Sequence, residues 1–323
     1  MRIELTPPGW ATHLFSDLTD WKKDPLPVDR LEPFDLPDDA YFEYAWQDGS
    51  GALRPDPGNH SPRLNPWLEF ACNITGPQYR PDPDGEVGRQ RPRGRLMRLT
   101  LDSRILKQSR SLLVYSPPGM AEAALPHILF QDGKAYYGWG KAPQILDRLL
   151  AAGVVGPAHL VFVPSVARTK EYAFNSSYRE FLINEVLPFV EDRVPCDGRR
   201  TAWGASLGGL LAAQLAHQEP ELFQTVVTQS GAFLFSEDMD LNYPFSGNES
   251  FLASVYDSVQ RPIRWHFQCG SLEWLLSSNR RLADALGNKG SVASLNIRNA
   301  GHNWVNWRNG MSDGFRFALA DSS

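Results

Sequence analysis

The chain has 323 residues, a formal net charge of −5 and ample apolar and aromatic content for a core, which fits one large globular domain with room for a small second one. Its acidity excludes the basic face that nucleic-acid binding requires, and no apolar run approaches a membrane crossing. Three widely spaced cysteines, Cys72, Cys196 and Cys269, form neither a disulfide framework nor a zinc-binding pattern. Together with a start at Met1–Leu5 that lacks a signal-like apolar stretch, they lead us to expect a cytoplasmic protein.

The first 90 residues read as a small all-β sandwich-like module. Short alternating runs, clearest at Tyr41–Trp46, are separated by turn signals at Asp48-Gly49, Asp56-Pro57-Gly58-Asn59 and Asn65-Pro66, and no helical period is sustained. Trp21, Trp46 and Trp67 are expected to pack within this module's own core, with stacking on a ligand as the alternative. The punctuated stretch Arg80–Gly85 ends it, and the cluster Arg89–Arg95 reads as solvated linker.

Residues 91–323 change texture. Leu96–Leu101 and Ser111–Tyr115 read as antiparallel leading strands. They are followed by strand-like runs at 127–130, 160–163, 201–203, 225–228, 263–268 and 294–297. Helical patterns fall between and after these, at 142–152, 176–190, 207–217, 251–259, 274–286 and 305–319. This alternation predicts an α/β domain with a mostly parallel sheet covered on both faces. Ligands of such sheets bind beyond the carboxyl ends of the strands.

At one of those ends stands Gly204-Ala205-Ser206-Leu207-Gly208, the spacing of a sharp strand-to-helix turn with an exposed serine at its apex. A serine needs a base to become a nucleophile. His217 lies too far along the following helix and His266 sits in a strand, whereas His302 follows the last strand in Asn299-Ala300-Gly301-His302. A carboxylate between the two in sequence would fix the imidazole. Glu273 occupies that place after a strand; Asp257 and Asp284 lie within helices, and a Ser–His pair without a strong acid is the runner-up. The Leu207 amide offers one oxyanion donor and the Lys134 amide, after Asp132-Gly133, is the second candidate. A plain Asp-Gly turn is the alternative there.

The ordered series Val114-Tyr115-x-Pro117-Pro118-Gly119, Asp132-Gly133, Arg168-x-x-Glu171-Tyr172, Gly204–Leu210, Thr228-Gln229-Ser230-Gly231-Ala232, Gly270-x-x-Glu273 and Gly301-His302-Asn303 resembles the enterochelin (siderophore) esterase-like family of α/β-hydrolases. The first module, through Tyr41–Trp46, Asp56-Pro57-x-Asn59 and Asn65-Pro66-Trp67, resembles the immunoglobulin-like, glycogen-binding-like modules of the same enzymes. The resemblance implies an α/β-hydrolase fold and ester hydrolysis by Ser206, His302 and Glu273 through an acyl-enzyme, without metal or organic cofactor. The implied partner is a small-molecule ester, with carbohydrate contact through the module. Feruloyl- or acetyl-type ester cleavage, acyl transfer to a sugar and a non-catalytic carbohydrate-binding scaffold are the alternatives. The family usually has Asp where this chain has Asn303, which is expected to shape the loop. Arg168, Arg308 and Lys134 are candidates for an anionic substrate group, and Tyr136, Tyr137, Trp139, Trp304 and Trp307 for an aromatic acyl pocket. An internal ion pair between Arg168 and Glu171 is an equal reading.

Overall fold

The computed structural model describes residues 1–21, 24–88, 90–237, 249–258 and 263–320. Two small antiparallel sheets come first. In one, β1 (Arg2–Ile3) pairs with β4 (Phe34–Asp35). In the other, β5 (Tyr41–Asp48) is flanked by β2 (Ala11–Ser16), β6 (Leu53–Arg54) and β7 (Cys72–Thr75), with β3 (Leu26–Pro27) beside β2. The alternation in β5 explains their packing. Phe42, Tyr44 and Trp46 face Ile3, Leu14 and Leu36 in a core between the sheets. The opposite face carries Tyr41, which packs on Ala300 and Val305 near the far end of the chain. The module is thus pressed against the larger unit.

That unit holds an eight-stranded sheet. The hairpin β8 (Arg95–Ser103) and β9 (Gln108–Ser116) is antiparallel. Then β10 (Leu125–Gln131), β11 (His159–Val163), β12 (Cys196–Ala205), β13 (Thr225–Gln229), β14 (Arg264–Gly270) and β15 (Val292–Arg298) run parallel in the order β11-β10-β12-β13-β14-β15. The inner strands are apolar on both faces because helices cover both. On one side lie α1 (Gly133–Gly138), α2 (Ala142–Ala151), α9 (Trp304–Asn309) and α10 (Met311–Ala318). On the other lie α4 (Ser176–Phe181), α5 (Leu187–Glu191), α6 (Leu207–Gln218), α7 (Ser250–Asp257) and α8 (Leu276–Asn288), with the short α3 (Arg168–Tyr172) touching α6. This is the α/β-hydrolase architecture. No helix among the described residues is long and apolar enough to cross a membrane.

Two expected helices are interrupted. The run 176–190 contains a π turn at Leu182–Val186, just before Pro188, whose missing N–H breaks the regular ladder. The run 305–319 breaks at Gly310, where a Cβ would overlap the side-chain amide of Gln268. Gln268 donates instead to the Gly310 carbonyl at 2.7 Å. The helices α1 and α3 are too short to show a period and were not expected. The expected end at Val259 lies outside the described residues.

Candidate active site

The turn from β12 into α6 holds Ser206 at φ 55°, ψ −122°, a region that side chains other than glycine's rarely enter. Close approach of strand and helix imposes it. A Cβ at Gly204 would overlap the Gly208 carbonyl, and one at Gly209 would sit 3.1 Å from Gly231 Cα. The strained backbone is held on both sides, with the Ser206 amide donating to Gln229 at 2.8 Å and its carbonyl accepting from Ala232 at 3.0 Å. The side chain is partly exposed, and its hydroxyl has no hydrogen bond among the described residues. The amides of Gly209 and Leu210 turn back onto the Ser206 carbonyl. The Leu207 amide, first of the helix, has no acceptor within it.

Glu273 and His302 come together beyond the ends of β14 and β15. His302 Nδ1 lies 2.7 Å from Glu273 Oε2, while Oε1 accepts from the Gly270 amide at 2.6 Å, Ser230 Oγ at 2.6 Å and Asn306 Nδ2 at 3.3 Å. The Glu273 side chain is wholly buried and that of His302 is partly exposed. With Nδ1 on the carboxylate, Nε2 is the ring nitrogen left to receive a proton. Asp257 and Asp284 are exposed on α7 and α8. His266 is buried in β14 against Ser294 Oγ at 2.7 Å, as a core histidine.

Ser230, a residue whose role the motif did not disclose, ties the arrangement together. It adopts φ 50°, donates to Glu273 and accepts from Trp307 Nε1 at 2.8 Å. The Trp307 ring stands edge-on to His302 at 5.0 Å. Trp307 is almost completely buried, so it forms the wall behind the histidine, in place of the substrate contact expected from sequence. Asn303, the departure from the family pattern, caps α9 by accepting from the Asn306 amide at 2.9 Å.

The N-terminal module reaches this centre. Tyr41 forms a parallel bridge with Ala300 and its amide donates to Asn299 at 2.8 Å. The buried Asp17 carboxylate accepts from the Glu43 amide and from Trp21 Nε1. Glu43, also buried, accepts from Tyr41 Oη at 2.9 Å and Asn65 Nδ2 at 2.7 Å. Burial pushes the Glu43 carboxyl up to about 7. Asp17 is held well above the usual carboxylate range by burial first, then by Glu43.

A groove of about 420 Å³ lies beside the Ser206 turn, lined by Trp67, Asp132, Lys134, Ala135, Pro164, Ser165 and Arg168. Arg168 is an internal brace and not a free ligand group. Its Nε and Nη2 grip the Asp132 carboxylate at 2.8–3.0 Å, and Nη2 also donates to the Ala205 carbonyl at 3.1 Å. Glu171, the other partner considered, pairs with Arg110. Asp132 sits at φ 55° and opens α1, whose first amides, Gly133 and Lys134, lack acceptors within the helix. Tyr136 is fully buried and donates to Gln229 Oε1 at 2.8 Å, which removes it from any substrate surface. Trp139 is exposed at the end of α1, and Arg308 is partly exposed on α9; neither lines the groove. Trp67 was missed. It is about half exposed, with its edge against Trp304 and Trp307 at 5.5 and 5.4 Å. At the opposite ends of the strands, His127, Glu191 and Cys196 gather within 4.8 Å, but Glu191 is already ion-paired with Arg200.

Known proteins share this architecture. The chain is 26% identical over 247 residues to the iron(III) enterobactin esterase of Dickeya dadantii (strain 3937), covering 70% of this chain and 55% of that protein. It is 23% identical over 218 residues to YjcH of Bacillus subtilis (strain 168), an uncharacterised protein, covering 64% and 90%. Among solved structures, the enterobactin esterase FES of Shigella flexneri in the presence of enterobactin aligns with a TM-score of 0.76 at 20% identity, over 95% of this chain and 87% of that one. A ferulic acid esterase aligns at 0.61 and 20% identity, over 71% and 99%. The family model described as "Putative esterase" matches residues 103–318, about two thirds of the sequence, and the chain belongs to that esterase family.

Proposed function

We propose that the protein is a serine-dependent carboxylic ester hydrolase in which Ser206, His302 and Glu273 act as nucleophile, base and orienting acid. The observation that carries this is the Nδ1–Glu273 bond at 2.7 Å, formed by a histidine loop at the same end of the sheet as a serine held at positive φ. Glu273 fixes the tautomer that leaves the Nε2 lone pair free and stabilises the imidazolium that follows. His302 Nε2 takes the Ser206 proton as Oγ bonds to the ester carbon, and the carbonyl electron pair moves onto oxygen. The amides of Leu207 and Lys134 receive that charge, each worth roughly 10²–10³ in rate. Collapse expels the alcohol, which takes its proton from Nε2. Water, deprotonated by the same nitrogen, then releases the acid and restores Ser206. Relatives named for enterobactin and ferulic acid make those esters the first candidates to screen.

The test is hydrolysis of p-nitrophenyl acetate by wild type and Ser206→Ala, with labelling by a serine-directed fluorophosphonate. Loss of both turnover and labelling is expected. A Ser206→Ala protein that still turns over the ester at the wild-type rate overturns the proposal.

A further inference from the structure

The groove beside the Ser206 turn is built from two parts of the chain. Its floor and one wall come from the α/β unit: Lys134 and Ala135 at the start of α1, and Pro164 after β11. The facing aromatic surface is Trp67, from the module. This ring is open on one side but not loose. Its backbone amide donates to Asn65 Oδ1 at 2.9 Å, Asn65 is buried on Glu43, and the indole is braced edge-on by Trp304 and Trp307. A large ring fixed in place and left exposed over a concave surface is the arrangement of a ligand wall, whereas an ordinary surface hydrophobe lies on open ground.

The groove also abuts the turn that carries Ser206. Arg168, in its floor, donates to the carbonyl of Ala205, the residue before Ser206. Lys134, the second oxyanion candidate, lies in the same floor, so an acyl carbonyl received there would send its chain into the groove. The Lys134 ammonium has no ion-pair partner among the described residues. Trp67, Pro164 and Ala135 give the groove an apolar lining, and Lys134 adds positive charge to it, a combination suited to a flat acyl group. The other aromatic candidates leave this place empty: Tyr136, Trp304 and Trp307 are buried, Tyr137 packs against Phe162, and neither Tyr137 nor Trp139 lines the groove.

We propose that Trp67 is the specificity-determining residue for the acyl half of the ester and selects flat aromatic acyl groups, so that the acyl site is incomplete without the N-terminal module. This rests on Ser206 being the nucleophile.

The experiment compares p-nitrophenyl cinnamate with p-nitrophenyl acetate, which share a leaving group, in wild type, Trp67→Ala and Trp67→Phe. Stacking and burial of one ring face predict that Trp67→Ala lowers the cinnamate-to-acetate ratio of kcat/KM on the order of 30-fold, mostly through KM for cinnamate. Trp67→Phe, which keeps a ring, recovers most of it. Because the ratio is internal to each protein, a lower folded fraction cancels. An unmoved ratio in Trp67→Ala overturns the inference, as does a wild type that hydrolyses acetate and not cinnamate. Wild-type rates that persist in Ser206→Ala overturn the underlying reading; a dead Ser206→Ala with an unmoved Trp67→Ala ratio overturns only this one.

Discussion

The Asp17 carboxyl fills the space that a side chain at Gly301 would need, and Gly301 is the residue before His302. A strand-end acid of the small module thus sets how close the histidine loop can lie to β5. The Ala300–Tyr41 bridge fixes the same loop one residue earlier. Gly301→Ala must therefore push the loop off Asp17 or open the module. Misplacing a catalytic group by about 1 Å costs on the order of 100-fold in rate, and overpacking a buried site costs about 1–3 kcal/mol. We expect kcat to fall by roughly 10–100-fold with KM little changed and Tm lowered. Asp17→Ala combined with Gly301→Ala should recover part of the loss, which steady-state kinetics on the pair will measure.

The same acid cluster gives the protein a pH dependence of stability with a definite sign. The Glu43 carboxyl is raised from its ordinary 4.5 to about 7 by burial, so between these values the native state binds more protons than the unfolded chain. Stability therefore falls as pH rises through that window, and Glu43 stabilises least above about 7. Asp17 is raised for the same first reason and adds in the same direction. Glu43→Gln cannot titrate. Its Tm should drop less than the wild type's between pH 4.5 and pH 8, and thermal melts across that range check the difference in slope. A wild-type slope no steeper than the variant's would count against burial as the controlling cost.

Residues fixed by local chemistry were legible in the sequence. The positive φ at Ser206 follows from Gly204, Gly208 and Gly209 crowding one turn, and the order of Ser206, Glu273 and His302 follows from which strand each one ends. What a helix turns toward its neighbours was not legible. Tyr136 and Trp307 flank the right loops, but a single helical turn does not reveal which side meets the sheet, and both are buried. The partner of Arg168 is not legible either: Glu171, three residues on, is nearer in sequence, whereas Asp132 is nearer in space. The half-exposed position of Trp67 is not legible because it follows from the module meeting α9, a contact of Trp67 with Trp304 and Trp307 between residues more than 200 positions apart.

Ser230 offers the sharpest check on the buried network behind the histidine. Its hydroxyl is at once a donor to Glu273 Oε1 and the acceptor for Trp307 Nε1. Ser230→Ala leaves the indole N–H without a partner in a buried place and takes one of four hydrogen bonds from the carboxyl group. An unsatisfied buried donor costs about 1–3 kcal/mol, so Tm should fall by several degrees. The Glu273–His302 bond itself remains, since it uses Oε2. Ester turnover should therefore drop by only about 10-fold, well short of the roughly 10⁴-fold effect of losing the orienting acid's function. A variant that keeps its Tm but loses activity as completely as Glu273→Ala would mean that Ser230 acts on the reacting groups directly and not through Glu273 and Trp307.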